Sequence, residues 1–312
     1  MNDSKTNNLV LIVVAVAAAA ALCLMCLCGV GAAVFVRLAA RTAAPVLQMD
    51  LQEEDYEAAR RRFQTKLVRA GPSPQPADPS YRPRAAQEIS YRSRELTLKA
   101  YVDPSPGDGQ VRPAVLFLHG GFAFGDGDLE MAQPYRDAGY VVMVPVLRGE
   151  NGQPGNFTLF CDEVDDVLGA GEALAALDYV DANRLYVAGH SAGGTLTMLA
   201  AMASARFRAA ASLSGSPDQR GFVRSQPEFA VFDTSDRREF QIRSPLAYAS
   251  SFKCPIRLFY GSAETWAKVT CAETAQRARQ RGLDVEAVMV PGDHFTSVPE
   301  AIRRSIEFFR AH

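Results

Sequence analysis

The chain has 312 residues, 48% hydrophobic and 22% charged, an ordinary composition for a folded protein and enough length for one large domain or two small ones. Its formal net charge is −2 and it carries no long basic run, which excludes the electrostatic footprint of a nucleic-acid-binding protein. Of six cysteines, Cys161, Cys254 and Cys271 lie outside the first forty residues, an odd number without metal-ligand spacing, so neither a disulfide framework, a zinc site nor any other metal or organic cofactor is expected.

In chain order, a short tail at residues 1–8 precedes residues 9–36, which contain no charged, amide, hydroxyl or proline residue. As a helix this run spans roughly 40 Å, more than the ~30 Å hydrocarbon core, and it exceeds the ~7–15 apolar residues of a signal peptide, so a retained transmembrane anchor in a lipid bilayer is expected. Arg37 and Arg41 after the span, against Lys5 and the amino terminus before it, lean toward a cytoplasmic C-terminal portion by a thin margin. Gly29 and Ala33 form one small-xxx-small pair, a weak signal for dimerisation within the membrane. Residues 37–85 read as a juxtamembrane helix over 50–69, acidic first and basic last as suits the helix dipole, then a semi-rigid linker with four prolines in residues 71–79. Arg60, Arg61 and Arg62 of that helix face either solvent or acidic lipid headgroups.

From residue 86 to 312 short β-like runs alternate with helical patterns. Residues 87–91 and 95–102 alternate polar and apolar side chains, as in a hairpin at a sheet edge. The runs at 114–118, 141–146, 185–188, 209–213, 256–260 and 285–290 are mostly continuous apolar stretches, as in parallel strands covered on both faces. Helices are predicted at 129–138, 162–177, 192–203, 272–281 and 298–310, which makes an α/β domain with a mostly parallel sheet and helices on both faces.

The stretch GHSAGG at 189–194 joins a predicted strand to a predicted small-residue helix. Its glycines suit close helix–strand packing, and they equally suit a strained elbow that exposes Ser191 as a nucleophile. A serine hydroxyl needs a base, and the base an orienting acid. The chain has four histidines: His312 is the terminus, His119 and His190 precede or adjoin the elbow, and His294 alone follows the last strand. Glu264, just beyond the run at 256–260, is the first candidate acid, with Asp218, Asp233 and Asp236 as rivals and Asp293 too close in sequence to His294 to face its ring. Backbone N–H groups of Gly121 or Phe122, with that of Ala192, are the candidate oxyanion donors. Residues 215–250 are expected to wall the pocket, with Phe229 and Phe232 either lining it or packed in the core.

Together these residues resemble the α/β-hydrolase fold, and more narrowly the catalytic domain of the prolyl oligopeptidase family (peptidase family S9). The resemblance spans residues 86–312 and rests on the ordered pieces at 119–121, 147–149, 162–166, 180–194, 244–248, 260–264 and 292–294. It implies Ser191 as nucleophile, His294 as base and Glu264 at the acid position, where the family usually carries aspartate. The propeller of many family members is not expected here, since only the anchor, a helix and a linker precede residue 86. A membrane-anchored serine hydrolase acting on a peptide or a small acyl ester is therefore the expectation, with a catalytically silent scaffolding module as the alternative of another class.

Overall fold

The structure, a computed structural model, describes residues 49–312 apart from 80, 84 and 85. The expected span at 9–36, with its Gly29 and Ala33 pair, lies outside the described residues, and among those described no helix is long and apolar enough to cross a membrane.

Eight strands form one sheet in the order β1-β2-β4-β3-β5-β6-β7-β8. They are β1 (Gln87–Ser93), β2 (Leu96–Val102), β3 (Arg112–Leu118), β4 (Val141–Pro145), β5 (Val180–His190), β6 (Ala209–Leu213), β7 (Ile256–Gly261) and β8 (Val285–Val290). The first two pair antiparallel as the alternating pattern predicts, β2 meets β4 antiparallel, and every pairing from β4 to β8 is parallel. Every residue of β4 and β6 is buried, because helices cover both faces of those strands. Two apolar clusters result, one on each face of the sheet.

The helices are α1 (Tyr56–Arg62), α2 (Asp126–Met131), α3 (Gln133–Asp137), α4 (Glu163–Ala175), α5 (Ala192–Ala203), α6 (Gln219–Ser225), α7 (Arg237–Arg243), α8 (Thr265–Arg279) and α9 (Val298–Arg310). The single helix expected over 129–138 is two short ones broken at Ala132, because Pro134 enters at the first turn of the second and has no N–H to continue the first. All twelve residues of α5 are buried, so its small side chains serve packing on all sides.

The expected juxtamembrane helix over 50–69 is corrected to the seven residues of α1, capped by the Asp55 side chain and ended at an extended Phe63. Tyr56 and Ala59 of α1 are buried in the same core cluster as β3 and α5. Arg60 turns inward to Asp165, N to O 3.2 Å, with its side chain 9% exposed, whereas Arg61 and Arg62 remain in solvent. Beyond it Leu67 bridges to Phe232, Ser73 N–H donates to the Gly149 carbonyl, and Phe157 N–H donates to that of Gly71. Residues 63–75 are thus a strap on the α/β domain rather than a spacer.

Candidate active site

The elbow is strained in the way its glycines predict. Ser191 joins β5 to α5 at φ 55°, ψ −114°, a conformation costly for a residue with a Cβ, and its N–H is held by the Leu213 carbonyl at 2.8 Å. A Cβ at Gly189 would lie 2.5 Å from the Gly193 oxygen, and one at Gly193 would collide with the Leu118 carbonyl. Close packing and an exposed serine are therefore one arrangement, since the approach of α5 to β3 and β5 sets the tight turn.

His294 follows β8 and Glu264 follows β7, neighbouring parallel strands whose carboxyl ends lie on the same edge of the sheet. The His294 ring bridges the other two side chains, with Nε2 3.0 Å from Ser191 Oγ and Nδ1 2.8 Å from Glu264 Oε1. A carboxylate only accepts, so Nδ1 carries the proton and Nε2 presents a lone pair to the serine hydroxyl. Glu264 Oε2 accepts from Ser214 Oγ at 2.6 Å and from Gly261 N–H at 2.7 Å. Burial alone would raise the Glu264 carboxyl, but the bonds from His294, Ser214 and Gly261 hold it below the usual glutamate range.

The rival acids are occupied elsewhere. Asp218 caps α6 and pairs with Arg220, Asp233 binds Lys66 and Ser235, and Asp236 caps α7. Asp293 accepts from the N–H groups of Phe295 and Thr296, fastening the loop that carries His294 without touching the ring.

A cavity of about 220 Å³ joins the pieces, bordered by Ser191, Ala192, His294, Gly121, Phe122 and Gln75 among others. Of the candidate oxyanion donors, Phe122 N–H is taken by the Gln75 side-chain oxygen at 2.8 Å. Neither Gly121 N–H nor Ala192 N–H is bonded among the described residues, and both residues border the cavity beside Ser191. Behind Gly121, His119 donates Nδ1–H to the Gly120 carbonyl at 3.1 Å and Nε2–H to Glu150 at 3.0 Å, both groups being almost fully buried. Burial would depress this imidazole, but the adjacent Glu150 carboxylate outweighs it and pushes the ring up to about 10. A buried imidazolium thus clamps the loop on which Gly121 sits.

Phe229 borders the cavity as one of its expected walls, with the Phe122 and Phe229 rings 4.8 Å apart. Phe232 does not. It is buried beneath the Arg243 guanidinium, 4.0 Å from the ring centre, and packs on Phe240. Three contributors escape sequence reasoning: Gln75, Ser214, and His190, whose Nε2–H donates to the His294 carbonyl at 2.9 Å. Burial lowers the His190 ring, which keeps it a neutral donor. The thiols of Cys161, Cys254 and Cys271 are free, and burial pushes them upward. No cluster of metal-ligating side chains occurs among the described residues.

The profile of the prolyl oligopeptidase family matches residues 128–311, more than half of the chain and all three members of the hydrogen-bonded row. The chain belongs to the prolyl oligopeptidase family. Membership classes it among the serine hydrolases. It is 26% identical over 187 residues to the uncharacterized peptidase YtmA of Bacillus subtilis, covering 55% of this chain and 71% of that protein. Among solved structures, a puromycin-hydrolyzing peptidase of Mycobacterium tuberculosis superposes with a TM-score of 0.63 at 22% identity, over 74% of this chain and 41% of that one. A Pyrococcus furiosus esterase superposes at 0.59 and 18% identity, over 77% of this chain and 97% of that one. Identities this low carry the α/β-hydrolase fold and nothing finer, and the chain spans about two fifths of the length of the puromycin-hydrolyzing peptidase.

Proposed function

We propose that this chain is a membrane-anchored serine hydrolase that cleaves an ester or peptide bond through an acyl-enzyme on Ser191. The observation that carries the reading is the unbroken row Ser191 Oγ, His294 ring, Glu264 carboxylate at 3.0 and 2.8 Å. Ser191 Oγ attacks the acyl carbon while its proton passes to His294 Nε2, and the imidazolium so formed is stabilised by Glu264. The oxyanion takes hydrogen bonds from Gly121 N–H and Ala192 N–H, each donor contributing about 3 kcal/mol in sites of this kind. The bond to the leaving group breaks as His294 returns the proton to it. Water then repeats the sequence on the acyl-enzyme, its proton going to His294 and on to Ser191. Anchoring rests on the apolar run at 9–36.

A small acyl ester is the second reading: the cavity at Ser191 holds about 220 Å³, room for one small acyl group, beside a second cavity of about 550 Å³ that shares Ser214, Ser216, Phe222 and His294 with it. The test is a rapid-mixing experiment with p-nitrophenyl esters of increasing chain length beside aminoacyl and prolyl p-nitroanilides. An initial burst stoichiometric with protein, lost in Ser191→Ala, is the expected result. Folded protein that hydrolyses none of these substrates, or whose hydrolysis survives in Ser191→Ala, would remove the acyl-enzyme on Ser191, and activity confined to esters would remove the peptidase reading.

A further inference from the structure

The second cavity, of about 550 Å³, opens off the catalytic one at Ser214, Ser216, Phe222 and His294. Ser191, Ala192 and Gly121 border only the smaller cavity, which therefore receives the acyl carbon. The larger one is reached past His294, the group that returns a proton to whatever leaves. Its outer wall is built by α6 and the start of α8. A Cβ at Gly221 would stand 2.8 Å from the Trp266 indole, so the ring rests against α6, yet Trp266 remains 47% exposed. Arg224 follows Gly221 by three positions, on the face of α6 that meets the indole, and it also borders the cavity. It is exposed and has no ion pair or hydrogen bond among the described residues, whereas Arg220 of the same helix is held by Asp218. The one carboxylate on the cavity wall, that of Glu264, directs its oxygens to His294, Ser214 and Gly261. Arg224 is thus the uncompensated charge beside an accessible indole.

We propose that this larger cavity binds the leaving half of the substrate, and that this half is an aromatic α-hydroxy or α-amino acid with a free carboxylate. Its ring packs on Trp266 and Phe222, and its carboxylate meets Arg224. This rests on the acyl-enzyme reading above and names the substrate class of that same site. The acyl group passes to Ser191 Oγ as its bond to the oxygen or nitrogen of the acid breaks, and that atom takes the proton from His294.

The test compares the acetyl esters of 3-phenyllactate, of its neutral counterpart 3-phenyllactamide, and of lactate on the full chain. The wild type is expected to favour acetylphenyllactate over the amide by about three- to fivefold in kcat/KM at low ionic strength, a preference that shrinks as salt screens the pair. It is expected to favour acetylphenyllactate over acetyllactate by about tenfold. Arg224→Glu reverses the first preference, and Trp266→Ala brings the second to within about threefold of unity. A wild-type ratio of carboxylate to amide at or below unity overturns the proposal, and so does either ratio surviving its variant. If no ester turns over, the hydrolase reading fails instead. Trp266 is the only tryptophan of the chain, so its fluorescence then reports binding directly. Quenching by 3-phenyllactate at lower concentration than by 3-phenyllactamide, with the order reversed in Arg224→Glu, supports the cavity, and equal titrations or no quenching overturn it.

Discussion

Replacing Glu264 with Gln tests the acid position, because the surroundings dictate how the new amide must lie. Two donors, Ser214 O–H at 2.6 Å and Gly261 N–H at 2.7 Å, point at Oε2, so the amide oxygen must take that position. Its NH2 group then faces His294 Nδ1, where the carboxylate accepted at 2.8 Å. A donor there forces the imidazole proton onto Nε2, and a protonated Nε2 cannot take the Ser191 proton. Turning the amide back would set its NH2 against the fixed Gly261 N–H, at roughly 1–3 kcal/mol for the group left unsatisfied, while the Ser214 hydroxyl can rotate to accept. Adding the lost stabilisation of the imidazolium, Glu264→Gln is expected to lower kcat by about a thousand- to ten-thousand-fold, or about 4–5.5 kcal/mol, with the far-ultraviolet spectrum unchanged. Glu264→Asp shortens the reach by one methylene and is expected to fall between the two. Steady-state hydrolysis of the best p-nitrophenyl ester measures both. A Glu264→Gln enzyme within about threefold of wild type would refute the tautomer argument, since a thousandfold effect would be missing.

The buried His119–Glu150 pair makes stability depend on pH. The His119 ring is raised from an ordinary 6.5 to about 10, so its contribution is complete below pH 6.5 and is lost as the pH climbs to 10. Denaturant midpoints are expected to fall between pH 6.5 and 10 in wild type and to lose part of that slope in Glu150→Gln; parallel slopes would contradict the pairing. Glu264 has the opposite sign. Its depressed carboxyl keeps its contribution above the ordinary glutamate range and surrenders it only as the pH falls through the lowered value, so acid unfolding of Glu264→Gln should be less pH-dependent than that of wild type. Arg148 and Asp166 form a buried pair at 2.7 Å, and Asp166→Ala is expected to cost about 3–5 kcal/mol by chemical denaturation; a loss below 1 kcal/mol would show the charge tolerated unpaired. Gly193→Ala drives a methyl group into the Leu118 carbonyl and is expected to lose about 1–3 kcal/mol and nearly all activity, whereas Gly127→Ala, with open space around it, should change neither.

The sheet was readable because its central strands are continuous apolar runs, and the row at the site was readable because chain order and only four histidines restrict the choice. What sequence could not show is contact between distant segments. The proline-bearing stretch after α1 has a linker's composition, yet Gln75 reaches across 47 residues to Phe122, and no local pattern encodes that pairing. Ser214 and His190 look like strand-end residues until β6, β7 and β8 align and bring them to Glu264 and to the His294 carbonyl. The charge gradient over 50–69 favours a helix without fixing its end: the chain turns extended at Phe63, ahead of the contact between Leu67 and Phe232.

The central claim is that Ser191 is a nucleophile made reactive by His294 and Glu264. Incubation of the intact chain with a fluorophosphonate, followed by mass spectrometry and peptide mapping, tests it most directly. The account predicts one adduct per chain on Ser191, formed much more slowly in Glu264→Gln and His294→Ala and absent in Ser191→Ala. Folded wild-type protein that stays unlabelled, or carries the adduct on another residue, would contradict it.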